Sequence, residues 1–131
     1  MRFQRIEPPR SFQVGRNSVL LRHVANLRLE PDELLTLLGD GDRELDIVSK
    51  EWGFYVTPSL QHRLRSNGLR AALMRNIVTR QLFVVAVYEN EIESWTRYMS
   101  EEEQELVVWL DSLGEGNSDS MNLGSQQDFP T

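Results

Sequence analysis

The chain has 131 residues, which is enough for one domain with a single hydrophobic core and a tail. It contains no cysteine, and this excludes a disulfide framework, a thiolate metal site and a cysteine nucleophile. The sequence shows neither a secretion signal nor an apolar stretch of membrane-spanning length, so we expect a soluble cytoplasmic protein without a cofactor.

The first third of the chain predicts mainly strands. Arg2 to Ile6 and Ser11 to Val14 have the composition of short strands separated by Pro8-Pro9, and Gly15-Arg16-Asn17 is typical of a turn. The segment 19–29 fits both helical and strand spacing. Strand is favoured because the segment is rich in branched residues and alternates apolar and charged residues just before Pro31.

Residues 32–48 also permit two interpretations. Gly39-Asp40-Gly41-Asp42 separates two leucine-containing runs, a pattern that favours a β-hairpin with a four-residue turn. Pro31 followed by Asp32-Glu33 is a fair helix start, so a short helix over 31–38 is the alternative.

From Trp52 onward the pattern is clearer. Trp52 to Thr57 predicts a strand, and Thr57-Pro58 predicts the start of a helix that ends at Asn67-Gly68. Leu69 to Ile77 favours a strand, with helix as the alternative because its alanines and leucines suit both.

Leu82 to Tyr88 is the longest apolar run in the chain and predicts an interior strand buried on both faces. Asn90 followed by Glu93 indicates a helix start, and Ile92, Trp95 and Met99 follow at helical spacing. The segment 105–113 fits a strand or a second helix, and its valine-rich middle favours the strand.

These elements predict a β-α-β-β-α-β order, which is the ferredoxin-like α+β arrangement, over residues 52–113. The β-rich segment 1–51 would be available to cover the second face of that sheet. We therefore expect a single α+β domain over 1–113 and a flexible acidic tail over 114–131.

Charges are grouped along the chain. Residues 1–29 and 52–88 each carry a net charge of +5, whereas 30–51 carry −6 and 89–115 carry −8. The simplest expectation is that basic and acidic blocks pair inside one fold. The acid-free stretch 62–80 is the candidate binding region, and with a nearby aromatic residue its members are Tyr55, His62, Arg63, Arg65, Arg70, Arg75 and Arg80.

The acidic turn region, residues 40–51, partly matches the template of a calcium-binding loop. Carboxylates occupy the template's positions 1, 3, 5, 7 and 12, but its sixth position, which requires glycine, is Leu45. A solvated hairpin explains the same carboxylates, so no metal site is predicted.

The sequence favours a binding function over an enzymatic one, because it contains no recognisable catalytic motif. A sheet covered on both faces disfavours an open base-stacking platform and favours a protein-interaction or assembly role, with a homodimer as one form of it. The alternative is RNA or single-strand binding through 62–80, and a third class is binding of a small anionic ligand by its arginines.

Overall fold

The computed structural model describes residues 1–41 and 43–115, which form eight strands, one α-helix and short helical turns. The strands are β1 (Arg2–Val14), β2 (Val19–Arg28), β3 (Leu34–Leu38), β4 (Glu44–Lys50), β5 (Gly53–Val56), β6 (Leu69–Asn76), β7 (Leu82–Tyr88) and β8 (Gln104–Trp109). The helix α1 (Ile92–Glu101) connects β7 to β8, and the turns occupy Leu60–Leu64, Glu89–Glu91 and Leu110–Glu115.

The strands form three small antiparallel sheets. The first is the β1–β2 hairpin, the second has the order β3–β4–β5, and the third has the order β7–β6–β8. β6 is therefore the only central strand of the third sheet, and β7 and β8 are its edges.

The predicted ferredoxin-like α+β fold is wrong. β5, the first strand of that prediction, pairs with β4 in the second sheet and not with β6 or β8. Only Glu51 and Trp52 separate β4 from β5, so this local pairing closes a far shorter loop than the predicted one would. The predicted first helix is a short helical segment, whose π-helical turn Leu60–Leu64 is capped by the Ser59 hydroxyl accepting from the Arg63 N–H.

Several individual elements are confirmed. β2 and β8 are strands, the hairpin of β3 and β4 replaces the alternative helix over 31–38, and α1 lies where its apolar spacing predicts it. The two short strands expected in the first 14 residues are one strand, β1, whose pairing with β2 shifts register between Arg5 and Arg10. Pro8 and Pro9 lie in that interruption because proline has no N–H to donate to the ladder.

The core surrounds β6 on both faces. Leu69 and Ala71 pack with Leu64 on one face, joined by the partly buried side chains of Leu45, Leu60, Tyr88 and Leu110. Ala72 and Met74 are buried on the other face, where Trp95 of α1 contacts Trp109 of β8 with ring centroids 5.2 Å apart. The small side chains of β6 allow both layers to approach its backbone closely.

β7 is a strand as predicted, but the prediction that both of its faces are buried is wrong. Its side chains Leu82 and Val84 are 57% and 72% exposed, and Val87 is its only buried residue. A run of apolar residues indicates that the strand favours burial, but it does not indicate whether other elements of the fold pack against it.

The β1–β2 hairpin is attached to the rest of the protein at its two ends. At the tip, the buried Glu102 carboxylate accepts hydrogen bonds from the backbone N–H groups of Arg16, at 2.8 Å, and Asn17, at 3.1 Å. Gly15 has a φ of 80°, and a Cβ there would collide with the Glu102 carboxylate. At the open end, the Met1 amino group lies 3.1 Å from Glu33.

The predicted tail begins within the turn Leu110–Glu115, and its remaining residues, 116–131, lie outside the described part of the chain.

Candidate functional site

The arginines of the predicted binding region are paired with carboxylates from other parts of the chain. The closest N···O distances are 3.7 Å for Arg63–Asp46, 3.7 Å for Arg65–Glu89, 2.7 Å for Arg70–Asp111, 2.8 Å for Arg75–Glu105 and 3.8 Å for Arg80–Glu105. The expectation that basic and acidic blocks pair inside the fold is therefore confirmed for this region. Much of its positive charge is compensated locally, which lowers its attraction for an external polyanion.

The Arg70–Asp111 pair is the most buried of these contacts. Arg70 donates from Nε at 3.2 Å and from an Nη at 2.7 Å to the two carboxylate oxygens, and the Ala71 N–H donates at 3.3 Å. The Arg70 guanidinium also lies 3.9 Å from the centroid of the Trp109 ring. This cluster joins β6 to the turn Leu110–Glu115 and has the geometry of a structural ion pair.

The pKa of Asp111 reflects two opposing effects. Burial raises the pKa, but the hydrogen bonds and charge of Arg70, with the Ala71 N–H, outweigh burial and hold it below its ordinary value. The carboxylate therefore stays ionised and paired at neutral pH, which suits a structural role better than proton transfer.

The other predicted site residues lie on different elements. Tyr55 stacks on Trp52 with ring centroids 5.8 Å apart, and His62 is exposed on the turn Leu60–Leu64, where its backbone carbonyl accepts from the Ser66 hydroxyl. The structure thus brings together Arg75 and Arg80, which share the Glu105 carboxylate, whereas Tyr55 and His62 lie on other elements. Their role in binding stays a prediction.

The free edge of β7 is the most apolar strand edge of the third sheet. β7 contains no charged residue and pairs with β6 alone among the described strands. Leu82, Phe83 and Val84 are all exposed at the end of β7 that follows Arg80. Phe83 also borders a cleft of about 470 Å³ beside Gly15 at the hairpin tip.

Exposed apolar side chains are frequent elsewhere too. Large apolar residues that are exposed outnumber the buried apolar residues in the described part of the chain. Examples in the second sheet and its turns are Leu38, 77% exposed, and Trp52, 71% exposed. Exposure of apolar side chains is therefore not limited to β7.

The β1–β2 hairpin carries the arginines that sequence reasoning did not select. Arg5 pairs with Glu7, and Arg16 pairs with Glu103. No carboxylate of the described residues lies within ion-pair distance of Arg2, Arg22 or Arg28. In the sequence, the net charge of +5 over residues 1–29 indicates these arginines. The stretch 62–80 is the more prominent basic signal because it contains no acidic residue.

Cross-strand register places these three arginines on one face of the hairpin. Arg2 lies directly opposite Arg28, and Ser11 lies opposite Arg22. The other face contains Phe3 opposite Leu27 and Phe12 opposite Leu21. Arg5, opposite Ala25, and Arg10, opposite His23, lie on that same face, so both faces of the hairpin carry arginines.

A cleft of about 600 Å³ lies between the open end of this hairpin and β5. Its lining includes both members of the Arg2–Arg28 pair, and it contains no acidic residue. Phe3 and Phe54, which are 64% and 69% exposed, supply aromatic surface, and Gln4 and Asn26 supply side-chain amides.

The acidic turn region does not form a calcium loop in the described residues. Glu44 and Asp46 lie on β4, and Asp46 accepts a hydrogen bond of 2.6 Å from the Thr36 hydroxyl of β3. Asp42, one of the template positions, lies outside the described residues. Across residues 1–41 and 43–115, no three acidic or histidine side chains are grouped closely enough to hold a metal ion.

None of the helices in the described part of the chain is both long and apolar enough to cross a membrane.

No protein-family model, curated protein or solved structure matches this chain.

Proposed function

We propose that this protein is a non-enzymatic, cytoplasmic assembly protein that associates with a second copy of itself through the edge of β7. The observation that carries the proposal is the exposure of an uncharged apolar strand whose outer side has no strand partner in the described residues.

An unprotected strand edge favours pairing with another strand. Its outward N–H and C=O groups can continue a hydrogen-bond ladder, and soluble proteins commonly protect such edges with lysine, proline or a covering element. The strand Leu82–Tyr88 has neither lysine nor proline. A second strand placed there would satisfy the backbone and cover the exposed apolar side chains together.

The charges at the two ends of β7 favour a second copy as the partner. Arg80 precedes the strand, whereas Glu89 and Glu91 follow it. An antiparallel pair of β7 strands related by a two-fold axis at Val85 would bring Arg80 of each copy near the glutamates of the other. Leu82 would then face Tyr88 of the second copy, and Phe83 would face Val87.

The alternative functions receive less support at the predicted positions. RNA binding and small-anion binding through 62–80 both need arginines available to phosphate, and the arginines there already face carboxylates. The self-association proposal rests mainly on the backbone and apolar side chains of β7, and Arg80 and Glu89 would share their present partners, Glu105 and Arg65, with the second copy.

The first test is the mass of the protein in solution, measured by size-exclusion chromatography with light scattering over a wide range of concentrations. We expect a species of twice the chain mass. Val84→Lys should weaken the dimer about tenfold or more, because it places two like charges close together across the two-fold axis. Val78→Lys is the matched control, since Val78 is 68% exposed in the turn before β7 and should leave the dimer intact.

The second test is charge reversal at the strand ends. Arg80→Glu should weaken the dimer, and adding Glu91→Arg to it should restore part of the lost affinity, because the two positions meet only in the antiparallel pair. Circular dichroism on every variant confirms folding. A protein that stays monomeric at all concentrations, or a dimer unaffected by Val84→Lys, would refute the proposal.

A further inference from the structure

We infer that the cleft between the open end of the β1–β2 hairpin and β5 binds a nucleotide unit, with Arg2 and Arg28 holding its phosphate and Phe54 contacting its base. The inference rests on the residues of this cleft and is independent of the association of β7 with a second copy.

The Arg2–Arg28 pair is the first step of the argument. The two residues are direct cross-strand partners, and neither has a carboxylate partner in the described part of the chain. Like charges placed opposite each other destabilise a hairpin, and a bound anion between them would remove that repulsion. Guanidinium groups match the oxygen spacing of phosphate and donate two hydrogen bonds each, which favours a phosphate over a simple halide.

The composition of the rest of the cleft narrows the ligand class. Phe54 of β5 is 69% exposed and borders the cleft from a different element than the Arg2–Arg28 pair. Aromatic rings of this kind stack on nucleobases without strong sequence preference. The Asn26 amide donates to the Gln4 side chain at 3.2 Å, so both amides are already oriented at the cleft wall.

The size of the cleft agrees with this ligand. A volume of about 600 Å³ lies within the range of small-molecule sites, and no acidic residue lines the cleft itself. The same chemistry is offered by a free mononucleotide and by one unit of a single-stranded nucleic acid. The two sources differ in whether basic residues beyond the cleft also contribute.

The experiment is a titration of the isotopically labelled full chain, followed by backbone and side-chain amide NMR shifts. Adenosine monophosphate, inorganic phosphate and a single-stranded oligoadenylate are the three probes. We expect adenosine monophosphate to shift the signals of Asn26, Arg28 and Phe54. Arg28→Ala should weaken its binding about tenfold or more, because a charge-assisted contact is lost. Phe54→Ala should weaken adenosine monophosphate but leave inorganic phosphate unchanged.

Arg22→Ala is the matched control, because it removes the same charge from the same face of β2 outside the cleft. It should leave mononucleotide affinity within about twofold. If nucleic acid is the source, the oligonucleotide should bind more tightly than the mononucleotide, with a steeper salt dependence that Arg22→Ala reduces. Equal affinities would identify the free nucleotide as the source. No shifts with any probe, shifts confined to other surfaces, or an unchanged affinity in Arg28→Ala would overturn the inference.

Discussion

The β7–β6–β8 sheet and the β1–β2 hairpin are held in place by different kinds of interaction. The sheet contains buried side chains on both faces of β6, whereas no residue of β1 or β2 is buried. Polar contacts at its tip and its open end attach the hairpin to the body. A two-stranded hairpin without a packed face is marginally stable in water, so these terminal contacts decide whether it stays in place.

This difference separates stability from binding. In the sheet, Arg70 and Arg75 form internal ion pairs. In the hairpin, four arginines have no carboxylate partner among the described residues, namely Arg2, Arg10, Arg22 and Arg28. The sheet should therefore respond to mutation with a change in global stability. The hairpin should respond with local opening or a change in ligand affinity.

The largest effect is expected from Asp111→Asn. The substitution removes the negative charge that the partly buried guanidinium of Arg70 contacts at 2.7 Å, which should reduce the free energy of unfolding by about 3 to 5 kcal/mol. Chemical denaturation measures this change. Glu93→Gln is the control, since Glu93 is 94% exposed and its pairing with Arg97 should contribute little. Equal stability of the two variants would contradict a structural role for the Arg70–Asp111 pair.

The Arg70–Asp111 pair also predicts that the stability of the protein depends on pH. Because the pKa of Asp111 is lowered in the folded state, its contribution is complete above the unfolded pKa and is lost as pH falls through the folded pKa. The wild-type protein should therefore lose part of its stability below about pH 4, and Asp111→Asn should show a shallower decline there. Denaturation series at several pH values test this, and parallel curves would contradict it.

The next prediction compares a leucine-to-alanine substitution in the core beside β6 with one on the β1–β2 hairpin. Leu64→Ala removes a side chain that is 1% exposed in the core beside β6, and it should cost about 2 to 5 kcal/mol of unfolding free energy. Leu20→Ala removes one that is 60% exposed on the hairpin, and it should cost less than about 0.5 kcal/mol. Similar costs would mean that the hairpin is packed more tightly than its exposure indicates.

A smaller effect than that of Leu64→Ala, confined to the hairpin, is expected from Glu102→Gln. One oxygen of the buried carboxylate becomes an amide that cannot accept from the hairpin backbone, so about 1 to 2 kcal/mol should be lost. Hydrogen exchange measured by mass spectrometry should show faster exchange in β1 and β2 and little change in β6. Faster exchange throughout the sheet would contradict the separation of the two regions.

The sequence predicted local elements well because their signals are local. Turn residues such as Gly39 and Gly41, strand alternation in β2, and the helical spacing of Ile92, Trp95 and Met99 each lie within a few residues of the structure they specify. The N-cap was less accurate. Asn90 lies in the turn Glu89–Glu91, and α1 begins at Ile92 without a side-chain cap.

The candidate site could not be predicted from local sequence patterns. A run of arginines without acids indicates an uncompensated patch only if no carboxylate reaches it through space, and here the partners come from β4, β8 and the turns around them. The Arg2–Arg28 pair depends on the register of two strands whose first and last residues are far apart in sequence.

By itself the sequence determined that this is a strand-rich chain in its first half, with turns at its glycines and one helix after the apolar run 82–88. Only the tertiary structure decided that β5 joins β4, that β6 takes the central place, and that β7 lies exposed at an edge. The physical reason is that apolar patterning gives each strand its preference for burial. Sheet order and loop closure decide which strands are actually buried.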